Sequence, residues 1–277
     1  MPSSERLRRA AGGVCWHLAL AGTALGMMFP VLWALLASLK PDNEIYSPAP
    51  VASAPTLEHY RHALLDWPVA TLLRNTFTMA AGVAAGQVVI GVLGAFALVY
   101  FAPRGRALVL GLLTTSLAIP PQALVIPQFL IAARLGWRNT EWGLIVPQLG
   151  ASALAVLVLM QHVRAIPPSV LNAARLDGAR PREILWHIVL PALRPAVAAV
   201  AILVLITTWN EYLWPLLAAP RAEDTTVQIG LAQFQTAEGN DYGGLLAAAT
   251  LTSLPILVVY AIAARRVTDA FLQTGLR

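Results

Sequence analysis

The chain has 277 residues, of which 57% are hydrophobic and 12% are charged. Soluble domains carry about a quarter of charged residues, so this composition excludes an ordinary water-soluble protein. The single cysteine, Cys15, excludes an internal disulfide, and the single lysine, Lys40, excludes a Walker-A nucleotide site.

Six long intervals with little or no charge follow one another and predict six membrane-spanning helices, because about 20 apolar residues cross the hydrocarbon core. The first interval could be a signal peptide, but its apolar run is too long and five further spans follow. We therefore expect an all-α membrane protein with one transmembrane domain over residues 1–277. The expected spans are residues 14–39, 75–101, 107–133, 142–163, 190–218 and 243–264, with a long loop at 164–189.

The basic residues indicate how these spans are oriented. With the N-terminus inside, 13 basic residues lie on the inner side and six on the outer side, whereas four acidic residues lie inside and nine outside. Cytoplasmic loops of membrane proteins are enriched in arginine and lysine, so both termini are predicted to be cytoplasmic. The net charge of +5 then reflects the orientation of the spans in the membrane. We therefore expect no nucleic-acid partner.

Prolines and small residues inside the spans predict breaks and close contacts. The prolines either reflect the tolerance of membrane helices for this residue or kink the helices around a translocation path. A run of alanine and glycine over residues 80–86 predicts a close contact between helices. The prolines are Pro30, Pro120, Pro121, Pro127, Pro147, Pro215 and Pro255.

The loop at 164–189 predicts two short helices around a glycine turn. Ser169 is expected to cap a helix over residues 170–176, Gly178 to take a left-handed conformation, and Pro181 to begin the next helix. The small side chains of the first helix would fit a groove in another protein. The alternative is an ordinary amphipathic helix at the membrane surface.

This loop resembles the EAA motif of ABC-importer permease subunits, which reads Glu-Ala-Ala, two residues, Asp-Gly-Ala, eight residues and Ile-x-Leu-Pro. The chain differs at its first position, where Asn172 is polar but loses any ion pair with a basic partner residue. The resemblance implies a type I ABC importer permease fold, with a cytoplasmic coupling helix that docks in a cleft of an ATPase. The matching residues are Asn172, Ala173, Ala174, Asp177, Gly178, Ala179, Ile188, Leu190 and Pro191.

Further matches extend the resemblance over nearly the whole chain, to carbohydrate-uptake permeases similar to the second permease of maltose-type and glycerol-3-phosphate-type systems. This implies a bacterial inner-membrane protein that forms a heterodimer with a second permease. It also implies two ATPase subunits that bind ATP and Mg, an extracytoplasmic solute-binding protein, and no cofactor on this chain itself. The matches include Ser38-Leu39-Lys40, Asn75-Thr76, Asn139-Thr140, Trp209-Asn210-Glu211-Tyr212 and Gly230-Leu231.

Glu211 is the one acidic residue inside a predicted span, and a charge in lipid is costly without a partner or water. With Trp209, Asn210 and Tyr212 it offers the aromatic and hydrogen-bonding groups that suit sugar hydroxyls. This segment is therefore a candidate substrate pathway. The alternative is structural, with Glu211 pairing with the second permease or capping a helix break near Pro215.

Two other classes of membrane protein fit the sequence less well. A self-powered secondary transporter or channel usually has more ionisable groups in its spans and an inverted repeat. A membrane-embedded enzyme needs clustered histidine, aspartate or cysteine in the spans. We therefore predict a transport subunit with no catalytic and no metal site. Candidate solutes are oligosaccharides, amino sugars and glycerol-phosphate derivatives.

Overall fold

The computed structural model describes the backbone of residues 3–101, 104–236 and 239–275, and the side chains of residues 16–101, 104–235 and 240–262. The chain divides into two compact units. One unit combines Met1–Pro68 with Gln233–Leu251, and the other combines Val69–Ala232 with Thr252–Arg277. Helices dominate both units, which confirms the all-α prediction.

The first unit contains a long apolar helix, the segment that follows it and the beginning of the last helix. The side chains from Trp16 to Leu32 are exposed, so this surface must be covered by lipid or by another subunit. The elements are α1 (Ser3–Ala37), a 3-10 turn (Asp42–Glu44), α2 (Glu58–Leu65), the antiparallel pair β1 (Gln235–Thr236) and β2 (Gly239–Asn240), and the start of α13 (Tyr242–Gly275).

The buried Lys40 makes several contacts in the segment after α1. The Lys40 ammonium donates to the carbonyl of Ser47 at 2.8 Å and lies 5.0 Å from the ring centroid of Trp33. The backbone carbonyl of Lys40 accepts from Nε2 of His59 at 2.9 Å. These contacts hold α2 and the preceding turn against the end of α1, because a buried charge requires polar and aromatic partners.

The second unit is built around one long helix, α3, which packs most extensively against α7 and α10. Its elements are α3 (Val69–Phe96) with a π-helical end (Ala97–Phe101), α4 (Arg106–Ser116), α5 (Pro121–Arg134), α6 (Glu141–Ile145) with a 3-10 turn (Val146–Ala151), α7 (Ala153–Arg164), α8 (Pro168–Leu176), α9 (Pro181–Ile184) with a π-helical turn (Leu185–Val189), α10 (Leu190–Trp209), α11 (Leu213–Ala218) and α12 (Val227–Ala232).

The small residues of α3 allow a close approach to its neighbours. A Cβ atom at Gly82 would lie 2.6 Å from Cδ1 of Ile145, and one at Gly91 would lie 3.0 Å from the Cβ of Ala155. Larger side chains at these positions would push α6 and α7 away from α3. The close helix contact predicted from residues 80–86 is confirmed.

Two of the expected spans are bent pairs of helices. Among the described residues, four helices are long and apolar enough to span a membrane, and the count is six when each bent pair is one span. Residues 107–133 form α4 and α5 at an angle of 100°. The helix is interrupted there because Pro121 forces the preceding Pro120 into an extended conformation. Residues 142–163 bend by 53° at Ser152, between the end of the 3-10 turn and the start of α7.

The fifth expected span, 190–218, has different bounds in the structure. The helix begins earlier, at Pro181, and ends at Trp209 before a short break and α11. Pro215 has no N–H for the carbonyl of Glu211, and its ring would collide with that carbonyl in a continuous helix. The expected loop at 164–189 is therefore shorter, because its last nine residues belong to this helix.

Candidate functional site

The motif loop forms a short helix, a turn and the start of a long helix. Helix α8 begins at Pro168, not at residue 170, and Pro167 holds the capping position without a side-chain hydrogen bond. The expected Ser169 cap is therefore wrong, because the fixed φ of Pro168 starts the helix earlier. Gly178 has a φ of +79° and Pro181 begins α9, so the predicted glycine turn is confirmed.

The two faces of α8 have different surroundings. Leu171 and Ala174 pack against the core of the unit. Val170 and Ala173 are exposed, and Leu176 is 89% exposed. The outer side of α8 therefore presents a small apolar surface beside charged residues.

The motif residues divide into exposed and packed groups. Asn172, Asp177 and Gly178 are exposed with Ala173, on α8 and the turn that follows it. The remaining motif residues are packed or half-buried. Pro191 is half-buried at the start of α10, and the residues that pack against the core are Ala174, Ala179, Ile188 and Leu190.

Arg175 connects α8 to the end of α3, a contact that the sequence did not reveal. Its guanidinium donates to Oδ1 of Asn172 and to the backbone carbonyl of Tyr100, both at 3.2 Å. The guanidinium carbon also lies 4.3 Å from the ring centroid of Tyr100. Asn172 therefore has its partner within its own helix.

The candidate pathway residues lie at the break between α10 and α11. Trp209 is buried, and the amide of Asn210 donates to the carbonyl of Ile206 at 2.8 Å. Oε1 of the half-buried Glu211 accepts from the backbone N–H of Trp214 at 3.3 Å, so this carboxylate caps α11. Tyr212 is 45% exposed.

A second amide meets this break from α12. Nε2 of Gln228 donates to Oδ1 of Asn210 at 3.4 Å. The sequence offered no signal for Gln228, because 18 residues separate it from Asn210 and no motif contains it. The break therefore joins two amides and a carboxylate, groups that donate to and accept from hydroxyls.

The beginning of α3 holds the segment that leads into α12. The amide of Asn75 donates to the carbonyls of Glu223 at 2.8 Å and Thr225 at 3.0 Å. The hydroxyl of Thr76 donates to Leu72 and accepts from the backbone N–H of Val227 at 2.9 Å. Asn75 and Thr76 therefore position α12 beside the break.

The chain matches the model of the family described as "Binding-protein-dependent transport system inner membrane component" over residues 87–271. It is 30% identical to the sn-glycerol-3-phosphate transport system permease protein UgpE of Yersinia pestis bv. Antiqua (strain Antiqua), over 91% of this chain and 92% of the relative.

Two solved structures share the fold. One is a bacterial ABC transporter involved in the import of the acidic polysaccharide alginate, with a TM-score of 0.80 and 22% identity over 96% of this chain and 98% of that chain. The other is a bacterial alginate ABC transporter in complex with alginate pentasaccharide-bound periplasmic protein, with a TM-score of 0.66 and 13% identity over 94% of each chain. These likenesses confirm the permease fold.

The family match favours an importer subunit over a self-powered transporter. The chain belongs to the family of binding-protein-dependent transport system inner membrane components and is a multi-pass permease subunit of an ABC importer.

Proposed function

We propose that this chain forms half of the translocation pathway of an ATP-driven importer for a sugar or sugar-like solute. Its partners are a second permease in a heterodimer, two ATPase subunits that carry ATP and Mg, and an extracytoplasmic solute-binding protein. The names of the relatives support this proposal, since they refer to glycerol-3-phosphate, alginate and a periplasmic protein.

The exposed face of α8 is the single observation that carries the proposal. Val170, Ala173 and Leu176 present small or apolar side chains outward, while Leu171 on the other face anchors the helix. A nine-residue helix is marginal by itself, so its position depends on this anchoring. We propose that this face docks in an ATPase cleft, with Asn172, Asp177 and Gly178 shaping the contact.

Leu176→Glu tests the docking surface, because this side chain contributes little to the fold but would place a charge in the contact. The assay is co-purification of the ATPase subunits with the chain, co-expressed with its partner permease. We expect at least a tenfold loss of bound ATPase, because truncating or charging a central apolar contact costs about 2 kcal/mol or more.

Leu65→Glu is the matched control, since Leu65 is 69% exposed on α2, in the segment between α1 and α3. This variant should bind the ATPase subunits as the native chain does. Full ATPase binding by Leu176→Glu would refute docking through α8.

We also propose the orientation that the charge distribution favours, with both termini cytoplasmic in a bacterial inner membrane. The description of the family as an inner membrane component supports this location. In this orientation α8 and its turn face the cytoplasm, and the 13 basic residues of the inner segments obey the positive-inside rule.

The break between α10 and α11 is the proposed solute-contacting surface. The surface offers amide, carboxylate and phenol groups, which pair with hydroxyls as donors and acceptors, next to the buried Trp209 in the chain. These groups belong to Asn210, Glu211, Tyr212 and Gln228. An anionic group would be repelled by Glu211 unless a cation from another subunit lies between them. We therefore propose that this chain recognises the hydroxyl-bearing part of the solute.

A further inference from the structure

The contact between Arg175 and Tyr100 joins the exposed helix α8 to the end of α3. The carbonyl of Tyr100 lies in the last turn of the helix, where carbonyls have no following N–H to bind. The guanidinium of Arg175 satisfies this carbonyl and places a positive charge at a helix C-terminus, which the helix dipole favours.

Three contacts fix the position of this guanidinium. Arg175 donates to Tyr100 and to Asn172 and lies over the Tyr100 ring. The ring of Tyr100 is in turn stacked on the buried Phe96, with centroids 4.8 Å apart. A lysine could not reproduce this arrangement, because its ammonium is a point charge without a planar fork.

The other end of α3 is attached to a different segment. Asn75 and Thr76 hold the chain from Glu223 to Val227, which leads into α12. Between residues 75 and 100 the helix rises about 38 Å, at 1.5 Å per residue. Helix α3 therefore connects α8 with α12 through hydrogen bonds at both ends.

The glycine contacts with α6 and α7 favour movement of α3 as one body, because close-packed helices transmit displacement. We propose that Arg175 is a positioning residue that couples α8 to α3, and that α3 transmits the displacement of α8 to α12 and the solute-contacting break. This inference rests on the proposed function, since it assumes that an ATPase moves α8.

The test uses the complete complex with its ATPases and partner permease in lipid nanodiscs. Cys15→Ser removes the native thiol, and spin labels on Ile126→Cys and Glu223→Cys report the distance between α5, which packs against α11, and the segment held by Asn75. We expect Mg-ATP with vanadate to shift this distance. Arg175→Met removes every contact of the guanidinium, and Tyr100→Leu removes the ring but keeps the carbonyl, so each should reduce the shift at least twofold.

Matched variants distinguish a loss of coupling between α8 and α3 from a loss of protein stability or of ATPase docking. Tyr100→Phe keeps the ring and the carbonyl and should retain the shift. Arg138→Met removes another arginine–aromatic contact, 5.3 Å from the ring centroid of Phe129, and should retain it too. The double variant should lose no more of the shift than Arg175→Met alone, because the ring of Tyr100 has no guanidinium left to contact.

The inference is overturned if the native complex shows no shift, if Arg175→Met or Tyr100→Leu retains the full shift, or if the losses in the two single variants add in the double variant. Failure of the proposed function would look different. In that case the ATPase subunits would not co-purify with the native chain.

Discussion

The hydroxyl of Thr76 is the most sharply defined polar contact between α3 and the segment before α12. Thr76 is fully buried and Val227 is 1% exposed, so the hydrogen bond between them is shielded from water. Thr76→Val keeps the shape of the side chain but removes the acceptor of the Val227 N–H. It also removes the bond from the hydroxyl to the carbonyl of Leu72.

The expected loss of stability follows from these two bonds. A buried N–H without an acceptor costs about 1–3 kcal/mol. The new methyl group would also lie where an oxygen now sits 2.9 Å from the nitrogen, which is closer than the ~3.5 Å at which carbon packs, so α12 must shift. A loss of about 2 kcal/mol lowers Tm by about 4–8 °C in a chain of this size.

Thr114→Val is the matched control, because in the part of the chain that the structure describes the exposed hydroxyl of Thr114 bonds only to the carbonyl of Leu110, at 2.8 Å. It should change stability by no more than about 0.5 kcal/mol. Both variants are measured by thermal unfolding of the detergent-purified chain, followed through its eight tryptophans. Equal Tm values for the two variants would refute the assigned role of Thr76.

Two further predictions concern carboxylates. Glu211→Gln should weaken solute uptake by the reconstituted complex about tenfold or more, since a hydrogen bond to a charged group contributes about 1.5–3 kcal/mol. Its Tm should be unchanged, because glutamine still accepts from the N–H of Trp214. Uptake at the native rate would disprove solute contact. The side-chain and backbone hydrogen bonds from Ser53 lower the pKa of Glu44. The hydrogen bonds between ionised Glu44 and Ser53, which hold the segment between α1 and α2, are therefore present at neutral pH. They are lost as the pH falls through the lowered pKa of Glu44. In Ser53→Ala the pKa should rise towards the ordinary glutamate value, measured by NMR of 13C-carboxyl glutamate, and identical titrations would contradict this account.

Much of the fold was predictable because hydrocarbon excludes charge. The charge-free intervals located every long apolar segment, and the left-handed turn at Gly178 followed from its place after a short helix. Proline positions indicated possible breaks, but not their angles. The 100° bend before Pro121 depends on the neighbours that α4 and α5 meet as well as on local backbone sterics.

The sequence by itself determined the number of apolar segments, the family motif and the candidate residues at 209–212. Only the tertiary structure decided that Arg175 binds Tyr100 and that Gln228 meets Asn210. The physical reason is one of range. Apolar segments and helix turns depend on residues that are close together in the sequence, whereas Arg175 and Tyr100 are 75 positions apart and meet only after the helices pack.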